Sequence, residues 1–307
     1  MNYPIEIEPP DIERYRRGNA GVEFVHVLDS NKPGPSVMIQ ALTHGNEFCG
    51  AIALDRLFRE RFSPVKGKLI LAFANVAAFA RFDRGDPDRA RYIDEDYNRV
   101  WADDMLLGSR DSAELRRARE LRPFVDAAEL LLDLHSMHEP CRPIMVCARS
   151  EKSVALARCM GAPADLLLDT GHPAGLRMME RGGFSDPASA RTAVLIECGQ
   201  HWAKSSVKVA IDTCLRFLSV TGLLEKDFSS VKQSVICVTE PVVAKTMGFR
   251  FASAWKGLEV VKKAGSLVAT DDGQEWRTPY DDCVMVMPSM RHLKPGTTMV
   301  RLGRYEA

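Results

Sequence analysis

The chain has 307 residues, 46% apolar and 27% charged, and its 41 basic and 41 acidic side chains balance to a net charge of zero. That balance gives no charge-based reason to expect nucleic acid or an anionic membrane as partner, and the composition excludes the disordered and fibrous classes. No apolar run approaches the roughly 18–20 residues of a membrane span, and the start, MNYPIEIEPPDIERYRR, lacks a basic-then-apolar signal layout, so the expected location is cytoplasmic.

In chain order, residues 22–28 (VEFVHVL) and 36–42 (SVMIQAL) are short β-rich runs separated by the turn cluster SNKPGP. THGNE follows the second run and leads into FCGAIALDRLFRERF, where Ile52, Leu54, Leu57, Phe58 and Phe62 recur near helical spacing. KLILAFANV reads as a buried strand, 81–97 as an irregular Arg/Asp/Gly-rich stretch, and 111–128 as a charged helix. The Arg116–Arg122 run on that helix is expected to be a solvated face with internal Glu partners. ELLLDLHSM, PIMVCA and TAVLIECG are further strands, with the helix SEKSVALARCM between the last two. SSVKVAIDTCLRFLSVTGLL is a last amphipathic helix ending near Gly222.

Strands alternating with helices predict a layered α/β domain around a largely buried sheet. Beyond about residue 231 the texture changes to short β-type runs broken by Gly, Pro and Asp, such as SVICVTEPVVA, FRFASAW and CVMVMP. This divides the chain into an α/β domain at 1–228 and a small all-β domain at 229–307. The eight cysteines form no C-x-x-C pair and read mostly as core thiols, and Met137, Met178, Met179, Met285 and Met287 read as packing residues.

Three segments stand at predicted strand ends, where α/β sheets collect ligands: His44-Gly-Asn-Glu47, Asp133-Leu-His135-Ser136 and Glu197-Cys-Gly-Gln200. A His at a strand terminus and a Glu three residues on can face one point, with a third ligand from a neighbouring strand. His44, Glu47 and His135 thus make a two-imidazole, one-carboxylate set suited to Zn²⁺ with a fourth position left for water. In Arg91-Tyr-Ile-Asp-Glu-Asp96-Tyr-Asn98-Arg99 the Asn98–Arg99 pair suits a substrate carboxylate, and Asp96 suits holding a metal-bound His in its tautomer. His138 reads as a loop residue outside the ligand set, His26 and His292 as ordinary, and His172 and His201 as residues near the pocket.

THGNE after a strand, the strand end at Asn75, RYIDEDYNR, DLHS and IECGQ, in that order, resemble the succinylglutamate desuccinylase/aspartoacylase family of zinc carboxypeptidase-like hydrolases over roughly residues 20–225. The resemblance implies a three-layer α/β/α fold with a mixed sheet at 1–228 and a barrel-sandwich-like β domain at 229–307. It implies one Zn²⁺ held by His44, Glu47 and His135, with Asp96 orienting the first histidine and Asn98 and Arg99 gripping the free carboxylate. It also implies Arg91 as the arginine that polarises the scissile carbonyl and Glu197 as general base. Where the aspartoacylase branch often has Gly-Pro-Gln after its catalytic Glu, this chain has Cys198-Gly199-Gln200, a difference that bears on substrate more than on metal. Tyr280 is a candidate for the family's pocket tyrosine.

The function implied is removal of an acetyl- or succinyl-type N-acyl group from a small amino acid or related carboxylated amine, by zinc-activated water with Glu197 as base. A zinc carboxypeptidase acting on peptides and a non-catalytic metal-bound binding protein are the alternatives. The C-terminal domain is expected to narrow access to the zinc site or to mediate self-association. The expected partners are therefore a small N-acyl amino acid and a further copy of the chain.

Overall fold

In the computed structural model, which describes residues 3–148, 150–169 and 171–306, the first two thirds of the chain alternate strand and helix. The order is β1 (Val25–Asp29), β2 (Ser36–Ala41), α1 (Cys49–Arg59), β3 (Lys68–Phe73), α2 (Val76–Phe79), α3 (Asp103–Leu107) and α4 (Ala113–Ala127). It continues through β4 (Leu130–Met137), β5 (Ile144–Ala148), α5 (Glu151–Met160), β6 (Asp165–Asp169), β7 (Thr192–Gln200) and α6 (Lys204–Val220). Beyond α6 the described elements are strands: β8 (Ser234–Val243), β9 (Arg250–Phe251), β10 (Glu259–Val261), β11 (Leu267–Asp271), β12 (Gln274–Arg277), β13 (Cys283–Val286) and β14 (Thr298–Tyr305).

Eleven strands form one mixed sheet in the order β1-β3-β2-β4-β7-β5-β6-β8-β14-β13-β10, and β12-β11-β9 form a second. The run β3-β2-β4-β7 is parallel, with β1 antiparallel at the outer edge and β5 antiparallel to β7. β2 is buried at five of six positions and β4 at seven of eight, as apolar strands must be when helices cover both faces. On one face Ile39, Leu71, Leu134 and Ile196 pack with Leu54 and Leu57 of α1 and Phe217 of α6. On the other, Met38, Ile70, Leu131 and Leu195 pack with Leu115, Leu121 and Val125 of α4. Neighbours along one strand, such as Met38 and Ile39, go to opposite layers because the strand period is two.

β6, β12 and β14 are additions to the elements read from sequence. β12 closes a hairpin with β11 through Asp272-Gly273, both at positive φ, so an Asp-Gly turn signal for it was present in the chain. The Arg116–Arg122 run differs from expectation. Arg117 is largely buried and donates to the carbonyls of Glu23, Phe73 and Ala74, while Arg119 donates to those of Met105, Leu106, Gly108 and Arg110. Both spend their charge holding backbone, although Arg117 also keeps a Glu120 partner.

The large sheet runs on across residue 228. β8 pairs in parallel with β6 from Asp165↔Ser234 to Leu168↔Cys237, and antiparallel with β14 as far as Val243↔Thr298. The C-terminal strands carry an apolar cluster of their own, including Val242, Phe249, Val268, Met285 and Leu302. Among the described residues no helix is long and apolar enough to cross a membrane.

Candidate active site

The His44–Glu47 turn threads a narrow gap. A Cβ on Gly45 would lie 2.3 Å from the amide nitrogen of Phe79 and 2.4 Å from the carbonyl of Ala90, so only glycine fits between α2 and the loop before Arg91. That gap fixes the two side chains flanking it. His44 Nδ1 lies 2.7 Å from Glu47 Oε1, and His135 Nδ1, from the end of β4, lies 3.0 Å from Glu47 Oε2. One ligand atom of each of the three residues falls within 4.8 Å of the others, and all three side chains are buried.

The far nitrogens are also held. His44 Nε2 is 3.0 Å from Asp96 Oδ1, and His135 Nε2 is 2.9 Å from Asp133 Oδ2. Thr43 Oγ1 donates to the other oxygen of Asp133 at 2.7 Å and accepts from Gln40 at 2.9 Å. The Ser136 amide donates to Glu47 Oε2 at 3.1 Å, and its hydroxyl lies 2.8 Å from His201 Nδ1. Burial disfavours charge on Glu47 and on His135, but each outweighs it for the other: His44 and His135 hold the Glu47 carboxyl well below its usual range, and Asp133 and Glu47 hold the His135 imidazole well above. Two imidazoles and a buried carboxylate, each imidazole backed by an aspartate, match the donor chemistry and the orienting groups of a catalytic zinc site.

The loop from Arg91 to Arg99 is shaped from beneath by α4. Glu114, fully buried in its first turn, accepts the amides of Ile93 at 2.7 Å, Asp94 at 3.0 Å and Glu95 at 3.2 Å, and the Asn75 side chain at 2.9 Å. So anchored, the loop brings Arg91 to 3.3 Å from Glu47 Oε1 and 3.2 Å from Asp96 Oδ2. Asn98 Oδ1 accepts the Met178 amide at 3.1 Å, which leaves its Nδ2 available to an acceptor in the cavity. Arg99 donates only to the neighbouring Asn98 carbonyl, at 2.6 Å, and burial among Arg91, Arg301 and Arg177 lowers its guanidinium to about 10 even beside Asp96.

Glu197 is half-buried at the end of β7, opposite His135 in register, and its Oε2 has no hydrogen-bond partner. Burial pushes its carboxyl up to about 8, against the pull of His135 and Arg91. All eight residues singled out in the sequence line one cavity of about 450 Å³. So do His138, His172 and His201, together with Met287, Ser289, Arg291 and Arg301 from the C-terminal strands and their connecting loop. Arg291 of that loop pairs across the opening with Asp88.

Some positions differ from expectation. Tyr280 does not line the cavity: its hydroxyl lies 2.6 Å from Thr239 Oγ1 and its ring under Arg304. Asn75 caps α2 and meets Glu114, away from the cavity. Asp133, two residues before His135 and so on the same strand face, is a site residue whose strand-alternation signal was present in the chain. Arg177 and Arg301 were marked by no motif.

Residues 33–215 match the family model for the succinylglutamate desuccinylase/aspartoacylase catalytic domain. Among solved structures, the chain is similar to succinylglutamate desuccinylase from Vibrio parahaemolyticus at a TM-score of 0.72 and 15% identity, over 93% of this chain and 87% of that one. The same enzyme from Vibrio cholerae gives 0.72 at 14% identity, over 92% and 85%. The product-bound ectoine utilization protein EutE (DoeB) from Ruegeria pomeroyi gives 0.65 at 18% identity, over 92% and 89%. No curated protein matches the sequence. A domain match over more than half of the chain, on a mixed sheet of the desuccinylase fold, establishes that the chain belongs to the succinylglutamate desuccinylase/aspartoacylase family.

Proposed function

We propose that this chain is a zinc-dependent amidohydrolase that removes an N-acyl group, of acetyl or succinyl type, from a small amino acid or related carboxylated amine. The observation that carries the reading is the buried His44–Glu47–His135 cluster with the unpartnered Glu197 Oε2 at the neighbouring strand position.

His44, Glu47 and His135 would hold the metal, with Asp96 and Asp133 keeping both imidazoles turned Nδ1-inward. When bound, zinc supplies a Lewis acid that brings the pKa of a water from about 15.7 towards about 7. Glu197 takes a proton at Oε2 and returns it to the leaving amine, and a carboxyl at about 8 suits both transfers near neutral pH. The Arg91 guanidinium stabilises the carbonyl oxygen as negative charge develops. Asn98 and Arg99 grip the carboxylate beside the scissile amide. Residues 229–307 form the C-terminal unit whose loop narrows access to the cavity, which favours short acylated amines over long peptides.

The test is hydrolysis of N-acetyl and N-succinyl amino acids beside C-terminally free peptides, before chelation, after it and after zinc is restored. Turnover of the N-acyl amino acids that disappears on chelation and returns with zinc is expected. A rate indifferent to chelation, or activity confined to the peptides, overturns the reading.

A further inference from the structure

Five arginines line the cavity, and they divide by partner. Arg91 is paired with Glu47 and Asp96, Arg177 with Asp169 and Glu180, and Arg291 with Asp88. Arg99 and Arg301 are not so matched. The side chain of Arg301 is only 14% exposed, yet among the described residues its guanidinium makes no hydrogen bond. Its nearest carboxylate oxygen, on Asp169, is 3.8 Å away and already accepts from Arg177 at 2.6 Å.

A guanidinium offers five N–H donors in a planar fork, and a buried fork without acceptors is destabilising until an anion reaches it. Arg301 is held in that state by β14, whose neighbours Pro241 and Val286 fix its place in the sheet. If Asn98 and Arg99 take the carboxylate beside the scissile amide, as the amidohydrolase reading on which this inference rests has it, one cation is still unmatched. The geometry points to a substrate with two carboxylates, the second received by Arg301 from the C-terminal segment. A substrate with a single carboxylate leaves the Arg301 donors dry and unsatisfied, so selectivity arises as much from that penalty as from the new contact. The second carboxylate belongs either to the acyl group or to the side chain of the amino acid.

Two measurements on the zinc-loaded full-length protein test this. Calorimetry compares succinate and glutarate with propionate and butyrate, for wild type, Arg301→Gln and Arg301→Lys. Wild type is expected to bind the dicarboxylates at least about 30-fold more tightly, and Arg301→Gln to reduce that preference to within about threefold. Arg301→Lys keeps the charge but not the fork and is expected to lose at least about fivefold of the preference, a readout that stands if the Gln variant does not fold. In kinetics, N-succinyl-alanine, N-acetyl-aspartate and N-acetyl-alanine separate the two sources of the second carboxylate through the ratio of their KM values. A wild type without dicarboxylate preference, or an unchanged preference in the folded variants, overturns the inference. Arg301-dependent dicarboxylate binding without hydrolysis of any N-acyl amino acid would sustain it while overturning the amidohydrolase reading.

Discussion

Glu197 stands opposite His135 in the parallel pairing of β4 and β7, so the acid and the imidazole occupy adjacent positions at the same end of the sheet. The nearness separates two duties that substitution can tell apart. Glu197→Gln keeps the side-chain shape and leaves the trio intact, so metal content by elemental analysis is expected to match wild type while turnover drops at least about 100-fold. Equal turnover would remove Glu197 from the proton transfers.

Asp133 is wholly buried and offers one oxygen to His135 and the other to Thr43. Asp133→Asn preserves its volume but weakens its hold on the imidazole tautomer, and competition with a chelator should show zinc affinity lower by about 10–100-fold. An unchanged affinity would mean that β4 alone orients His135.

Gly45→Ala tests the gap beneath the ligand turn. The added methyl meets backbone atoms of Phe79 and Ala90 that cannot swing aside, and a loss of about 1–3 kcal/mol is expected in denaturant unfolding. Zinc content should fall with it, because His44 and Glu47 move with the turn.

Glu114→Ala would strip four donors of their buried acceptor, each such orphaned group costing about 1–3 kcal/mol. Beyond lower stability, the expected signature is a loss of turnover larger than the loss of bound zinc, since Arg91 and Arg99 ride on this loop while His135 does not. Proportional losses of zinc and turnover would count against a loop-specific role.

His201 gives stability a pH dependence of known sign. Burial lowers it to about 3 in the folded chain, whereas in the unfolded chain it titrates near about 6.5. Between those values the unfolded chain binds the extra proton, so this contribution is complete above about pH 6.5 and shrinks as pH falls towards 3. Urea unfolding from about pH 7.5 to about pH 4 should show a shallower decline for His201→Gln than for wild type.

Much of the site was legible because metal chemistry restricts both residue type and spacing. His44 and Glu47 had to share a turn and His135 had to end a strand, and a sequence records both conditions. Asp96, Asn98 and Arg99 were legible as chemistry, whereas what curls them over the metal position is Glu114, a helix residue whose role lies in backbone amides some twenty positions upstream. Arg301 was illegible for a related reason: MVRLGRY looks like any strand with alternating charge, and only the pairing of β14 with β8 carries it to a cavity built by the other half of the chain. Tyr280 misled because a tyrosine in a turn-rich tail has no pattern that says which way it faces.

β8 joins the two halves by being a strand of both. A chain ended at residue 228 would leave β6 as a bare parallel edge, its amides and carbonyls open to pairing with any extended segment nearby, and would be expected to aggregate on expression. For the same reason a graft of the C-terminal portion from a relative, meant to exchange the cavity wall, should be spliced after β8. The hydrogen-bond ladder would then survive the exchange, and the guest loops would arrive in the register that aims residue 301 inward.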